Sequence, residues 1–450
     1  MKSSPGSLIA ALAVLGAAGS VLAAPAPLAA KATQFMLGNG MQVVVIPDHR
    51  APVVTHMVWF RVGGSDDPPG LSGAAHLFEH LMFKGTKTVP NGELSRTVAR
   101  NGGQDNAFTS NDFTAYFERI AKDRLGVVMG LDADRMVNLD LSEENVLTER
   151  DVVLEERRLR IESNPEARAQ EQMDAALHYS HPYGRPVIGW EAEISTMTRS
   201  QAIDFYEHHY APNNATLIVA GDVTPEEVRT LAEENYGKLQ PRMLTPRVDE
   251  PPPPRLAEGR LDFAIPGTNL AQLMRFYRVP SYGKAPKGVA ESLDVLAAVL
   301  GGGPTSRLYE SLVVQKKLAV EAGASYDGRK RGPGELIVYA VPREGVSFET
   351  LEAAMDEVVA SMSQAEPEAA EFESSKTRLV ADHIYQNDNQ FLAGQDYGTG
   401  LSIGLSIADI EDWPNRIKAV QAAAVKNAAK NYLIRTEAVT GRMSPQPRGQ

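Results

Sequence analysis

The chain has 450 residues, a hydrophobic fraction of 43% and a formal net charge of −12. This length favours two or three domains, and the negative charge argues against nucleic acid or an anionic membrane as the main partner. Because the chain contains no cysteine, it has no disulfide, no thiolate metal site and no cysteine nucleophile. Any bound metal must therefore be held by histidine and carboxylate side chains.

The first thirty residues have the composition of a secretory signal. One lysine near the start is followed by an apolar run and then by small residues. Val21 and Ala23 satisfy the small-residue rule, so we expect a signal peptide of residues 1–23, cleaved after Ala23. The alternative is an uncleaved membrane anchor, but the apolar run is shorter than the roughly 18 residues that a spanning helix needs. We therefore expect a periplasmic or secreted protein without a membrane anchor.

Strands and helices are mixed in the first half of the chain. Two strands flank the turn PDHRAP at 47–52, and alternating aromatic and threonine residues over 105–120 predict a further pair of strands. The helix signals lie from Ser72 onward and in residues 91–102, 121–136 and 142–162. The stretch NATLIVAGDV predicts another strand, and Thr224 followed by Pro225 marks the start of the next helix.

The clearest boundary is the proline-rich segment PRMLTPRVDEPPPPRLAEGR. Four consecutive prolines can neither continue a helix nor lie in a central strand, so we expect a stiff, extended linker over 241–259. The second half again opens with strands, at GRLDFAIPG and NLAQLMRFYRVP. It continues with a helix near 286–300 and returns to a strand at GELIVYAVP. This order suggests a weak internal duplication.

These elements predict an α+β fold of two similar domains. In each domain, helices would pack on a mostly antiparallel sheet, and the proline-rich linker would join the two. The predicted boundaries are 31–240 for the first domain and 260–445 for the second. Only the first domain contains a cluster of histidine and glutamate residues with the spacing of metal ligands.

That cluster is the sequence HLFEH, inside a segment that is otherwise mostly apolar. Ser72 as N-cap and Gly85 as terminator predict a helix over 73–84. The alternative interpretation is two core histidines with hydrogen-bond partners beside an incidental glutamate. That interpretation suits a lone histidine, whereas His-x-x-Glu-His on a predicted helix has the spacing that metal chemistry requires.

Helical geometry brings the two histidines onto one face. His76 and His80 are four residues apart and therefore about 40° apart around the helix axis, as two imidazoles must be to share one metal ion. Glu79 lies beside His80 and could reach a water molecule on that ion. Because burying unpaired imidazole and carboxylate groups costs several kcal/mol, the pattern predicts a Zn2+ site with these groups as its partners.

A catalytic zinc site needs a third protein ligand and keeps a fourth position open. The candidates lie in LSEENVLTERDVVLEERRLRIES, which could also be a solvated charged helix. Glu149 and Glu156 are seven residues apart and hence within about 20° of each other on one helix face, while Glu155 points away. The spacing favours Glu156 over Glu155 but does not by itself select it among so many acidic residues.

Several motifs in the same order resemble one family. His76-x-x-Glu79-His80, followed by ERDVVLEE ending at Glu156, is similar to the pitrilysin/insulinase zinc peptidases, the inverzincins. The subgroup that it resembles most contains the mitochondrial processing peptidase and its bacterial two-subunit relatives. The resemblance extends over nearly the whole chain after the leader, through LGNGMQVVVIPDH, NAFTSNDFTAYF, HPYGRPVIGW, FYEHHYAPNNATLIVAGDV and GGGPTSRLYESL.

The resemblance implies a role for each matching residue of the cluster. The implied zinc ligands are His76, His80 and Glu156, and the implied general base is Glu79. Glu149 matches a family glutamate that supports the site from behind. With these roles, the chain would be a zinc metalloendopeptidase, in which Glu79 takes a proton from the attacking water and passes it to the leaving amine.

Substrate binding in this family involves two places. Asn106, Ala107 and Phe108 match the edge strand along which the substrate lies, and an extended peptide can add to such an edge by main-chain hydrogen bonds. Active members also hold the substrate with an arginine and a tyrosine seven residues apart in a second-half domain. Here the matching segment, LVVQKKLAVEAG, has Val313 and Val320 at those positions, and neither side chain can donate a hydrogen bond.

We therefore expect a related, zinc-less partner chain that supplies the arginine–tyrosine pair. The heterodimer would enclose peptides or unfolded segments between its two subunits, and a self-sufficient homodimer is the alternative. Two other functions remain open: a non-catalytic scaffold subunit of such a heterodimer, and a periplasmic module that binds peptides without cleaving them.

Overall fold

The computed structural model describes residues 31–244, 246–247, 253–266 and 271–446. The predicted signal peptide, 1–23, lies outside these residues, and the predicted linker lies partly outside them, so both stay predictions together with the domain boundaries. Within the described residues, none of the helices combines the length and the apolar character that crossing a bilayer would require.

The first half is built on a six-stranded sheet with the order β1-β2-β6-β3-β5-β4. The strands are β1 (Thr33–Met36), β2 (Gln42–Pro47), β3 (Val53–Phe60), β4 (Gln104–Thr109), β5 (Thr114–Ala121) and β6 (Ala215–Gly221). Only β2 and β6 pair in parallel; the other pairs are antiparallel. The strand β6 lies between β2 and β3, so the turn PDHRAP joins two strands that do not pair. The predicted strand pair β4–β5 is confirmed, and β4 is an edge of the sheet.

Eight α-helices of the first half accompany this sheet within the described residues. They are α1 (Ala74–Leu81), α2 (Glu93–Arg100), α3 (Leu125–Asn138), α4 (Glu143–Arg157), α5 (Pro165–Leu177), α6 (Glu191–Ile194), α7 (Arg199–His209) and α8 (Pro225–Asn235). Alternate residues of β3, among them Val54 and Val58, face a large core shared with the helices. The predicted start of α8 is confirmed, since the Thr224 hydroxyl accepts from the Glu227 N–H with Pro225 in the first turn.

The start of α1 differs from the prediction. Ser72 is not the N-cap: the cap is Gly73, with a φ of 89°, and the helix is shorter than expected. The carboxylate of Asp67 accepts hydrogen bonds from the backbone N–H groups of Gly73 at 2.7 Å and Ala75 at 2.8 Å. Ser72 instead accepts from the Trp190 N–H. A carboxylate from the preceding loop therefore satisfies the helix terminus.

The second half repeats the topology of the first. Its sheet has the order β7-β11-β8-β10-β9, with β7 (Gly259–Pro266), β8 (Gln272–Val279), β9 (Ala319–Asp327), β10 (Gly334–Pro342) and β11 (Ala438–Gln446). Its helices are α9 (Val289–Gly301), α10 (Phe348–Gln364), α11 (Ala369–Gln386), α12 (Gln390–Ser402), α13 (Ile407–Glu411), α14 (Trp413–Ala419) and α15 (Ala422–Tyr432). The order of β7 to β11 matches that of β2 to β6, including one parallel pair. The α+β fold of two similar halves is confirmed.

Each half covers the sheet of the other half with one helix. Met173 of α5 packs in one apolar cluster with strands β7, β8 and β11 of the second sheet. In the opposite direction, Phe391 of α12 packs on Phe117 of the first sheet, with ring centroids 4.6 Å apart. Gly398 of α12 lies against Trp59, so closely that an added Cβ would lie 2.1 Å from the ring. This exchange ties the two halves into one packing unit.

Candidate metal centre

Two helices bring the three predicted ligands together. His76 and His80 lie on α1, with ring centroids 5.0 Å apart, and Glu156 lies at the end of α4. A carboxylate oxygen of Glu156 is 3.8 Å from His76 Nε2, and the other is 3.3 Å from His80 Nε2. One donor atom from each residue lies within 4.8 Å of the other two. Ligands of a tetrahedral zinc ion lie about 3.3 Å apart, so small adjustments would let the three share one ion.

The neighbouring carboxylate orients His80. Glu149 lies 3.2 Å from His80 Nδ1, and Lys84 forms an ion pair with Glu149. Burial lowers the pKa of His80, but hydrogen bonds to Glu149 and Glu156 outweigh this effect and raise the pKa to about 9. The two carboxylates thus favour a positive charge at His80. A bound metal cation would supply that positive charge in place of the proton. The Nδ1 atom of His76 is buried and has no hydrogen-bond partner within the described residues.

Glu79 projects from α1 toward the edge strand β4. Its carboxylate accepts a hydrogen bond of 2.5 Å from the Thr109 hydroxyl. Burial raises the pKa of Glu79, and the hydrogen bond from Thr109 opposes this effect. A partly buried carboxylate beside the imidazole pair has the position that a general base needs. Sequence reasoning missed Thr109, although it follows directly after the predicted substrate-binding residues.

A groove of about 780 Å³ connects the candidate ligands with the edge of the first sheet. Its walls include the three candidate ligands and Glu79, the strand β4, and Gln170 and Asp174 of α5. Asn106, Ala107 and Phe108 lie on β4 and border this groove. The ring of Phe108 packs against Trp59, with ring centroids 5.3 Å apart, so the feature of this segment best suited to a peptide is its backbone edge.

The structure also separates the acidic residues that the sequence left undecided. Glu156 faces the histidines, whereas Glu155 is 48% exposed and pairs with Arg158 on the outer side of the helix. The two valines that the family resemblance places at the arginine and tyrosine positions lie in the second half. Val313 is buried in a π-helical turn, and Val320 is exposed on β9.

A second group of side chains also has metal-ligand chemistry, and sequence reasoning did not find it. In the core of the first half, His56 Nδ1 lies 2.7 Å from Glu118 and 3.5 Å from Asp132, and His56 Nε2 lies 2.9 Å from the Tyr236 hydroxyl. However, Arg135 lies 3.1 Å from Glu118 and 2.6 Å from Asp132. The guanidinium already pairs with both carboxyl groups, so we interpret this group as a buried ion-pair network.

The fold and the site together define the class: a two-domain α+β protein with an inverted His-x-x-Glu-His helix in one domain. Two family models match the chain. The model described as insulinase, peptidase family M16, matches residues 42–191, and the peptidase M16 inactive domain matches residues 196–379. The candidate ligands and Glu79 all fall within the first match.

Individual relatives agree with these models. The chain is 29% identical to the zinc protease PqqE of Helicobacter pylori, over 91% of this chain and 92% of that protein. It is 33% identical to an uncharacterized zinc protease of Mycobacterium leprae, over 72% of each chain. The crystal structure of a protease from Helicobacter pylori superposes with a TM-score of 0.85 and 27% identity, over 92% of this chain and 99% of that one. The chain belongs to the M16 peptidase family.

Proposed function

We propose that this chain is the catalytic subunit of a zinc-dependent metalloendopeptidase. The observation that carries the proposal is the convergence of two imidazoles and a carboxylate, with donor atoms within 4.8 Å of one another, at the wall of a groove that an open strand edge also borders. The match to the inactive-domain model covers none of these residues, so it does not favour a non-catalytic subunit.

The donor set fits zinc. His76, His80 and Glu156 would hold the ion, as two nitrogen ligands and one oxygen ligand with a further position left for water or substrate. Bound there, zinc would polarise the scissile carbonyl and lower the pKa of a water molecule. The carboxylate of Glu156 beside the two imidazoles supports this proposal, because its negative charge would stabilise a bound cation.

Glu79 would act as the general base and then as the general acid. Its carboxylate would take a proton from the attacking water and deliver it to the nitrogen of the leaving amine, so that water is added across the peptide bond. The hydrogen bond from Thr109 would hold the carboxylate toward the groove. Because Thr109 belongs to β4, the same contact would keep the base in register with a peptide lying on that strand.

Glu149 would be a positioning residue. Its contact with His80 Nδ1 would fix the ring so that Nε2 faces the metal, and Lys84 would hold Glu149 in turn. Such partners of metal ligands commonly change metal affinity 10- to 100-fold when they are removed. We therefore expect Glu149 to act on metal binding, and on catalysis only through the metal.

The substrate would be an extended peptide added to β4 along Asn106, Ala107 and Phe108. A partner subunit would complete the enclosure and supply the hydrogen-bond donors that Val313 and Val320 lack. We propose a related, zinc-less chain as this partner, and a periplasmic or secreted location on the basis of the signal-like leader.

The decisive variant is Glu79→Gln. It keeps the size of the side chain and removes the base, so we expect peptidase activity to fall by orders of magnitude while the zinc content stays unchanged. The matched control is Glu155→Gln, because Glu155 is exposed and pairs with Arg158 on the outer side of the helix. Activity would be measured on a peptide pool with and without the candidate partner chain. Full turnover by purified Glu79→Gln protein would refute the proposal.

A further inference from the structure

One arginine that lines the groove forms an ion pair with a candidate ligand of the metal centre. Arg160 lies in the π-helical turn Arg158–Glu162 that continues α4, and its Nη1 is 2.7 Å from Glu156 Oε1. Its side chain is 71% exposed, and it lines the same groove as His76 and Glu79.

Arg160 has unused hydrogen-bond donors, in contrast to the other arginine of the groove. Arg185 donates to the backbone carbonyl groups of Asp67 and Pro68 and thereby braces the loop before α1. Arg160 contacts only Glu156 among the described residues. A guanidinium has five N–H donors in a planar fork, so the edge of Arg160 that does not face Glu156 remains available in the groove.

We propose that Arg160 binds a carboxylate of the peptide substrate next to the scissile bond. This inference rests on the proposed function and adds a substrate class to it: peptides with an acidic side chain, or with a free C-terminal carboxylate, near the cleaved bond. A carboxylate is the group that matches the guanidinium fork, because it accepts two parallel, charge-assisted hydrogen bonds. Arg160 would be a specificity-determining residue, with Glu156 holding its guanidinium in place.

The test measures peptide binding to protein that cannot cleave. In a Glu79→Gln background, fluorescence anisotropy would compare a peptide containing aspartate with the same peptide containing asparagine, both with amidated C-termini. We expect Arg160→Met to weaken binding of the acidic peptide about tenfold and to leave the neutral peptide unchanged. The matched control is Arg158→Met, since Arg158 is 69% exposed in the same turn, pairs with Glu155 and does not line the groove.

A further comparison identifies the source of the carboxylate. This comparison uses neutral peptides with a free or an amidated C-terminus, chosen so that the C-terminus follows closely after the bond that is cleaved. If the protein binds the free C-terminus more tightly and Arg160→Met removes this preference, Arg160 binds the C-terminal carboxylate. If the preference is limited to the peptide containing aspartate, Arg160 binds a side-chain carboxylate. Either result supports the proposal.

Two results would overturn it. If Arg160→Met weakens the binding of acidic and neutral peptides equally and lowers the zinc content, the role of Arg160 is to position Glu156 and not to bind substrate. If binding of neither peptide changes, Arg160 is a solvated surface residue. The binding measurement also separates this inference from the proposed function: an unmutated chain that cleaves no peptide, even with its partner, would refute the peptidase assignment, whereas the carboxylate preference would still be measured directly.

Discussion

The two halves of the molecule share one strand order but present different helices at the equivalent place. In the first half, α1 follows β3 and carries two histidines and a glutamate into a groove. In the second half, α9 follows β8, and its buried residues are mostly aliphatic, among them Leu293, Leu296 and Leu300. The sheet is thus a common scaffold, and the chemistry depends on the helix that follows β3 in the first half and β8 in the second.

The cost of burying charge explains this division. Imidazole and carboxylate groups are tolerated in a partly buried helix only when partners compensate them. In the first half, Glu149 and Glu156 provide those partners for His80, and Lys84 pairs with Glu149. No group of side chains with metal-ligand geometry occurs within the described residues of the second half, whose helix α9 serves as packing.

Removing one proposed metal ligand should have the largest effect, because the metal centre is what distinguishes the first half from the second. For His80→Ala we expect loss of stoichiometric zinc and a fall in peptidase activity by orders of magnitude, because the ion would lose one of its three protein ligands. Metal analysis and a peptide assay measure this. The control is His208→Ala, an exposed histidine on α7. Stoichiometric zinc in the His80→Ala protein would contradict the proposed ligand set.

The next effect concerns stability, and it compares two buried arginines. Arg135→Met leaves Glu118 and Asp132 buried without their cation, which should cost about 3–5 kcal/mol of unfolding free energy. In the second half, Arg275 is equally buried and pairs with Glu352, but Arg435 and Arg442 also pair with Glu352, so Arg275→Met should cost less. Urea denaturation measures both.

The control for these two variants is Arg124→Met. Arg124 is 49% exposed and lies 3.6 Å from Asp123, so its loss should change stability by no more than about 0.5 kcal/mol. A change as small as this in Arg135→Met would mean that the network of the first half contributes little to the fold.

A pH effect at the boundary between the halves should be of intermediate size. Burial alone would raise the pKa of Glu335, but a 3.0 Å hydrogen bond with His178 and the charge of Lys330 lower it to about 2. The folded pKa lies below the unfolded value of about 4.5, so this contribution to stability is present above about pH 4.5 and is lost as the pH falls toward 2. It amounts to about 3 kcal/mol.

The variant Glu335→Gln should remove this part of the acid sensitivity. Unfolding free energies measured between pH 2 and 6 would give a flatter profile than in the unmutated chain. Glu357→Gln is the control, because Glu357 is 68% exposed and pairs with Lys316 at the surface. If the two variants have the same pH profile, the contact between His178 and Glu335 does not stabilise the junction of the halves.

The smallest expected effect tests the helix exchange. In Gly398→Ala, the added Cβ would overlap the Trp59 ring, and the required shift should cost about 1–3 kcal/mol. The control is Gly130→Ala in α3, where a Cβ would meet only the end of the Asn235 side chain, at 3.3 Å. Calorimetry should show one shifted transition for Gly398→Ala. Two separate transitions in the unmutated chain would mean that the halves unfold independently.

Local patterns predicted the elements whose signals lie within a few residues. The cap of α8 at Thr224 and the hairpin of β4 and β5 agree with the sequence, because capping and alternation are short-range properties. The pair His76 and His80 also follows from helical spacing alone. The choice of Glu156 needed the family resemblance, since the spacing on α4 left several acidic residues open.

Local sequence patterns did not predict the contacts between segments that are far apart in the chain. Nothing near Ser72 indicates that Asp67 would cap α1 in its place, and nothing near β2 indicates that β6 would separate it from β3. The network around Arg135 combines β3, β5, α3 and the end of α8, so no single window of sequence contains it.

The amino-acid sequence by itself determined which residues could bind a metal and on which helix face they lie, because a helix fixes the angle between residues through its own backbone hydrogen bonds. Only the tertiary structure decided that α1 and α4 approach each other, that β4 stays an open edge beside them, and that Arg160 faces the groove. These relations depend on packing between segments far apart in the chain, where burial of apolar surface selects the arrangement.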